Sequence, residues 1–171
     1  VPDAIQRRVI DERIAEGGFD VIYDDDGSGE VADVIAMKKD GRRLSVELIH
    51  CKYSSEDLSG ARVGDLYEVL GQAQKSTRWR EYPKIFFQRL RSSEARRLRR
   101  NQPSRYELGD ASIVNGWFAE WNETIYEFSV TIVQPGYSKS GANPDHLRLV
   151  SATEAFLMET WGMPLKLITS A

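Results

Sequence analysis

Apolar residues recur at helical intervals at the start of the chain, where Ile5, Val9, Ile10 and Ile14 share one side of residues 3–16. Asp3 after Pro2 is placed to cap this amphipathic helix, and Gly17-Gly18 to end it. The period then shortens. Residues 19–23, 31–38 and 44–53 are β-like, with DDDGSG and KKDGRR between them as turns, so an antiparallel meander is predicted. Residues 61–79 put Val63, Leu66, Leu70 and Ala73 on one face of a long helix. Two more helices are expected over 83–100 and 111–121, joined by the polar NQPSR stretch, with a short strand at Ile85-Phe86-Phe87 as the alternative. FSVTIVQ, at 128–134, is the strongest strand signal; it should be central and end at Pro135-Gly136. Residues 146–161 read as a helix stopping at Gly162, and 165–169 as a last strand. No internal repeat interrupts this order.

The chain has 171 residues, 41% hydrophobic and 29% charged, which suits one well-filled core better than two. No apolar run approaches the roughly 20 residues that cross a bilayer, and no signal-peptide pattern follows Val1, so no membrane partner is expected. A lone cysteine, Cys51, makes no internal disulfide, and with His50 and His146 it falls short of a soft-ligand zinc set; a reducing, cytoplasmic setting fits. The opening Val-Pro-Asp suggests a piece of a longer polypeptide. Net charge is −3, yet residues 75–105 hold eleven Lys and Arg against Glu81 and Glu94, +9 locally and −12 elsewhere. A phosphate backbone meets the local field, so Lys75, Arg89, Arg96, Arg97, Arg99 and Arg100 are candidate nucleic-acid contacts, the alternative being a solvated helix face.

The order helix, three antiparallel strands, helix, strand is the core order of the PD-(D/E)XK nucleases. Asp33 in EVADVIAM, followed on the next strand by Lys52 in SVELIHCKYS, resembles that superfamily's pattern of an Asp and then an acid-x-Lys. HCKYS, DLYEVLGQAQKS, IVQPGYSKS and METWGMPLKLITS are also similar to nuclease-like domains attached to bacterial helicase or restriction and defence proteins. The resemblance covers nearly the whole chain. It implies an α/β, restriction-endonuclease-like fold with a mixed sheet flanked by helices, and a divalent-metal-dependent DNA endonuclease domain working beside a fused or associated helicase or restriction domain. The alternative is a catalytically inactive DNA-binding or docking module on the same fold.

Such chemistry asks for hard oxygen ligands around Mg²⁺ or Mn²⁺ and a lysine to position the attacking water and offset phosphate charge. Strand parity sorts the candidates. If the hairpin turns through a two-residue loop at Asp40-Gly41 or Gly41-Arg42, Asp33 falls opposite Leu48 or His50 and shares a face with Val46, His50 and Lys52. Glu47 then points the other way, and His50 fills the usual carboxylate position. Three readings of His50 stay open. It is a metal ligand with Asp33, the missing carboxylate coming from Glu12, Asp65 or Glu68; or the site has decayed; or a three-residue loop flips the register and makes Glu47 the working acid. Asp33 itself has the alternative of a buried carboxylate tied to backbone or to Lys52.

Weaker candidates surround this set. Asp24-Asp25-Asp26 lacks EF-hand spacing and reads as a solvated turn, and Gly27-Ser28-Gly29 has neither the helix nor the Lys-Ser/Thr of a phosphate loop. Cys51 and His50 are strand neighbours facing opposite sides, which argues against a nucleophile pair. Gln72, Gln74 and Lys75 line the site from the long helix or are polar surface. Trp117, Trp121, Tyr126 and Phe128 have spacings more typical of core than of base stacking.

Overall fold

A computed structural model of the chain describes residues 2–25, 27, 29–52, 63–138 and 144–170, with the side chains of 2–4, 63–65, 136–138 and 170 outside that description. The first helix, α1 (Pro2–Glu16), leads into a meander of β1 (Val21–Asp24), β2 (Val34–Asp40) and β3 (Arg43–Cys51). Helices α2 (Val63–Lys75), α3 (Thr77–Glu81) and α4 (Pro83–Arg99) follow, then β4 (Tyr106–Leu108) and α5 (Ala111–Ala119). The chain closes with β5 (Ile125–Ser138), α6 (Pro144–Ala155), a π-helical turn over Phe156–Thr160, and β6 (Leu165–Ser170). Among these residues no helix is long and apolar enough to cross a membrane.

The strands form one mixed sheet in the order β4-β1-β2-β3-β5-β6. The meander and β4 pair antiparallel, whereas β5 runs parallel to both β3 and β6. Alternation of side chains gives the sheet two apolar faces. On one, Ile35, Met37, Val46, Leu48, Phe128 and Val130 meet Leu66, Leu70 and Ala73 of α2 and Phe86, Phe87 and Leu90 of α4. On the other, Ile22, Val34, Ala36, Ile49 and Val133 meet Val9 and Ile10 of α1. The fold is therefore a mixed α/β sheet covered by helices on both sides.

The hairpin between β2 and β3 sets everything that follows. Asp40 pairs with Arg43 across a two-residue Gly41-Arg42 loop, and Gly41 takes the positive φ of 55° that the first position of such a loop requires. Val34 then pairs with Ile49, so Asp33 stands opposite His50. The register with a three-residue loop does not form, and Glu47 faces α1.

Several boundaries differ from the pattern-based reading. The long helix breaks at Ser76, whose hydroxyl donates back to the Gln72 carbonyl at 3.2 Å, a bond that bends helices. Ile85-Phe86-Phe87 lies within α4, with both phenylalanines buried. The stretch after Asn101 leads into β4 at the sheet edge. Pro135-Gly136 does not end β5; pairing with β6 loses its regularity between Gln134 and Ser138, as expected where a proline removes a ladder donor. The last helix starts at Pro144 and finishes as a π turn. Trp117 and Phe128 are buried, and the Tyr126 hydroxyl donates to the Trp121 carbonyl at 2.8 Å, so these rings serve the core.

Candidate functional site

Asp33 precedes β2 and His50 nearly ends β3, so the pairing that starts at the Gly41-Arg42 loop brings them side by side. One Asp33 carboxylate oxygen accepts the Cys51 backbone N–H at 2.7 Å. Its carbonyl accepts the Gln6 side-chain amide and the Asp25 backbone N–H, both at 3.1 Å, while Gln6 also donates to Asp24 at 2.7 Å. Thus α1 pins the 24–33 loop against the sheet.

His50 is 3% exposed, and burial lowers its pKa to about 4, so the imidazole is neutral at physiological pH. Its Nε2 lies 2.9 Å from the Ser76 hydroxyl oxygen. That hydroxyl has one proton, and it is directed to the Gln72 carbonyl. By elimination Nε2–H donates to Ser76, and Nδ1 carries the lone pair. Nδ1 is buried without a hydrogen-bond partner among the described residues.

Lys52 leaves the strand with its N–H on the Val133 carbonyl, and its ammonium pairs with Glu68 of α2 at 2.7 Å. Glu47 lies on the opposite face, where Arg13 grips it through two bonds of 2.9 and 3.1 Å and Thr131 donates at 2.6 Å. It is an internal ion-pair partner, which removes it from the Asp33–His50 set. Glu12 is also separated from that set: it forms an exposed pair with Arg8 on α1, beyond the other face of the sheet. Asp65 belongs to the backbone of α2, but its side chain lies outside the described residues. Cys51 is held as a thiol, because burial and then the Asp33 charge push its pKa up to about 12. Among the described residues no three His, Cys, Asp or Glu side chains form a group that could hold a metal ion. Asp33 and His50 occupy opposed backbone positions, but the Asp33 carboxylate bonds the Cys51 N–H and its charge acts on the Cys51 thiol, whereas burial alone shifts His50.

Beside His50 opens a cleft of about 580 Å³ between residues 29–31 and the α2–α3 junction, lined by Gln72, Lys75, Ser76, Arg78 and Trp79. Arg78 stacks on Trp79 at 5.3 Å from the ring centre. Gln74 instead donates to Thr153 on α6 at 3.3 Å.

A second concavity, of about 210 Å³, lies on the other side of the same loop and is lined by Arg89, Arg96, Arg97, Arg100 and Arg105. Arg89, Arg96 and Arg97 of α4 and the capping Arg100 fall on one side of the helix, beside the stripe that buries Phe86, Phe87 and Leu90. Arg99 lines neither concavity. Arg89 reaches the Gly29 carbonyl through Nε and Nη2 and the Ser93 hydroxyl through Nη1, while Arg97 donates to the Pro103 carbonyl at 2.6 Å. Glycines permit this contact. A Cβ on Gly27 or Gly29, both at positive φ, would stand 3.3 Å from Arg105 or 3.2 Å from Arg89.

Asp25 borders this cavity and is 3% exposed, which overturns the reading of the DDDGSG segment as wholly solvated. One of its oxygens accepts the Val31 N–H at 2.7 Å. Burial raises its pKa from 3.8 to about 6, against the opposing pull of that hydrogen bond and of Arg89 and Arg105. The folded state therefore binds the extra proton between about pH 4 and 6, and stability falls as pH rises through that window. Asp25→Asn keeps an acceptor for Val31 and removes the titration. At pH 7 the variant should gain up to roughly 3 kcal/mol over the parent, a gain that vanishes near pH 4. Denaturant midpoints from pH 4 to 7.5 test this; a difference independent of pH would contradict it.

Asp25 and Arg105 were not distinguished in the sequence, although the spacing of Arg89, Ser93, Arg96, Arg97 and Arg100 at 0, 4, 7, 8 and 11 on α4 was there to be read as one helical face. No protein-family model matches the chain, and no curated protein or solved structure matches it either.

Proposed function

We propose that this chain is a restriction-endonuclease-like domain that hydrolyses phosphodiester bonds in DNA with a divalent metal, Mg²⁺ or Mn²⁺, alongside a helicase or restriction/defence partner. The observation that carries the reading is the register that sets Asp33 opposite His50 at the end of adjoining strands, two residues before Lys52 and beside a cleft that holds Lys75 and Arg78. The succession of helix, antiparallel meander, helix and parallel strand supports the fold assignment.

The donors suit a divalent ion in kind. His50 is neutral with a buried Nδ1 unpartnered among the described residues, and Asp33 supplies a carboxylate from the opposed backbone position. Bound there, the ion supplies Lewis-acid polarisation of a phosphate and a more acidic water. The protein's own groups do the rest: Lys75 and Arg78 hold backbone phosphates in the cleft, and the Lys52 ammonium offsets charge on the scissile group. Its pair with Glu68 is half-exposed, worth about 0–1 kcal/mol, so a phosphate competes for it.

A non-catalytic DNA-binding module is the second reading. It is favoured by the engagement of both Asp33, by the Cys51 N–H, and Lys52, by Glu68. Plasmid nicking in parallel with binding of uncleaved DNA separates the two. The nuclease reading expects nicking that is about tenfold faster with Mn²⁺ than with Mg²⁺, because a nitrogen ligand suits the softer ion. Binding without nicking in either metal leaves the module.

A further inference from the structure

We infer that the arginine-lined cavity between α4 and the 24–33 loop is a pocket for a phosphomonoester dianion, such as the terminal phosphate of a nucleic-acid strand. Size argues first. At about 210 Å³ the cavity is smaller than the roughly 300 Å³ at which pockets for drug-sized ligands begin, and it suits one phosphoryl group with part of its sugar. A duplex backbone presents spaced, singly charged diesters and calls for an open strip of cations. Here the guanidiniums converge on one concavity.

Charge argues next. Among the described residues lining the cavity, five arginines face one carboxylate, Asp25, one oxygen of which is already engaged by the Val31 N–H. Among the described residues none of Arg96, Arg97, Arg100 and Arg105 is in an ion pair. Gathering five cations around a single carboxylate is unfavourable until a further anion arrives, and guanidinium forks match phosphate oxygens in pairs. A dianion gains more from them than a diester monoanion does.

Preorganisation argues third. Arg89 is fixed by the Gly29 carbonyl and Ser93, and Arg97 by the Pro103 carbonyl, so two of the five cations hold their position before any ligand binds. The Ser93 hydroxyl and the Gln102 amide add neutral polar groups to the wall.

The pocket is separate from the His50 cleft, since Gly27 borders one and Gly29 to Val31 the other. Only the choice of a nucleic-acid strand as the source rests on the proposed function. The test therefore omits divalent metal. Fluorescence anisotropy compares labelled single strands carrying a phosphate or a hydroxyl at the 5′ or 3′ end, and calorimetry titrates the protein with inorganic phosphate and with a deoxynucleoside monophosphate. The phosphorylated strand should bind at least about tenfold more tightly than its hydroxyl counterpart. Arg96→Gln combined with Arg100→Gln, exposed positions in and just after α4, should abolish that difference, as should Ser93→Asp. Tighter binding of the free mononucleotide than of the strand supports the pocket with a soluble ligand as its source. Equal affinity for phosphorylated and hydroxyl ends, with no calorimetric signal from either small phosphate, overturns the inference. Loss of nicking in every metal does not touch it.

Discussion

Asp33→Asn lowers metal-dependent nicking by at least about 100-fold while leaving the thermal transition close to that of the parent. The asparagine retains an oxygen to accept the Cys51 N–H, so the end of β3 keeps its closure, but the charged ligand beside His50 is gone. Charge stabilisation by a metal is worth several kcal/mol, and each 1.36 kcal/mol is a factor of ten in rate. Asp33→Ala confounds two effects, since it also strips the acceptor from Cys51 and costs about 1–3 kcal/mol of stability. Lys52→Ala serves as the companion, because its pair with Glu68 is half-exposed and contributes little to folding. Initial nicking rates and melting curves of parent, Asp33→Asn and Lys52→Ala decide the matter. Rates within twofold of one another would remove the β2–β3 end as a catalytic site.

Arg13→Ala destabilises the fold by about 3–5 kcal/mol, the largest stability change expected for any single polar residue here. Arg13 is 5% exposed and binds both oxygens of Glu47, which sits in the sheet between α1 and β5 with Thr131 as its remaining donor. Removing the guanidinium leaves a largely buried carboxylate with the Thr131 hydroxyl as its donor. The double variant Arg13→Met, Glu47→Leu should recover most of the loss, since a well-packed apolar pair replaces a buried ion pair at little cost. Urea midpoints of the two single variants and the double variant form the cycle. Additive losses would mean that the pair is not energetically coupled.

The hairpin carried most of what the sequence disclosed about the site. KKDGRR marked the turn but left its length open; the two-residue Gly41-Arg42 loop of the structure selects the register that puts Asp33 opposite His50 and turns Glu47 away. What stayed hidden depended on contacts between distant segments. DDDGSG has the composition of a solvated turn, and only the arginines of α4 and the Val31 N–H make Asp25 an interior residue. Periodicity assigned Ile14 to the apolar side of α1, yet it is 39% exposed while Arg13 turns inward to Glu47. A helical wheel has no term for a strand carboxylate awaiting it. Glu12 looked available as a ligand because position along α1 does not tell which face of the sheet the helix covers. β4 spans three residues at an edge, too short for alternation to register.

The parallel pairing of β3 with β5 joins Arg43 to Ile125 and Cys51 to Val133, across roughly 80 residues of intervening chain. During synthesis the meander emerges long before its neighbour, and β3 then presents an open edge with Val46, Leu48 and Ile49 uncovered on its two faces. Such an edge recruits any strand that reaches it. The nascent chain is thus most prone to aggregate in the interval between release of β3 and arrival of β5, and the speed of translation through α2 to α5 governs how long that interval lasts.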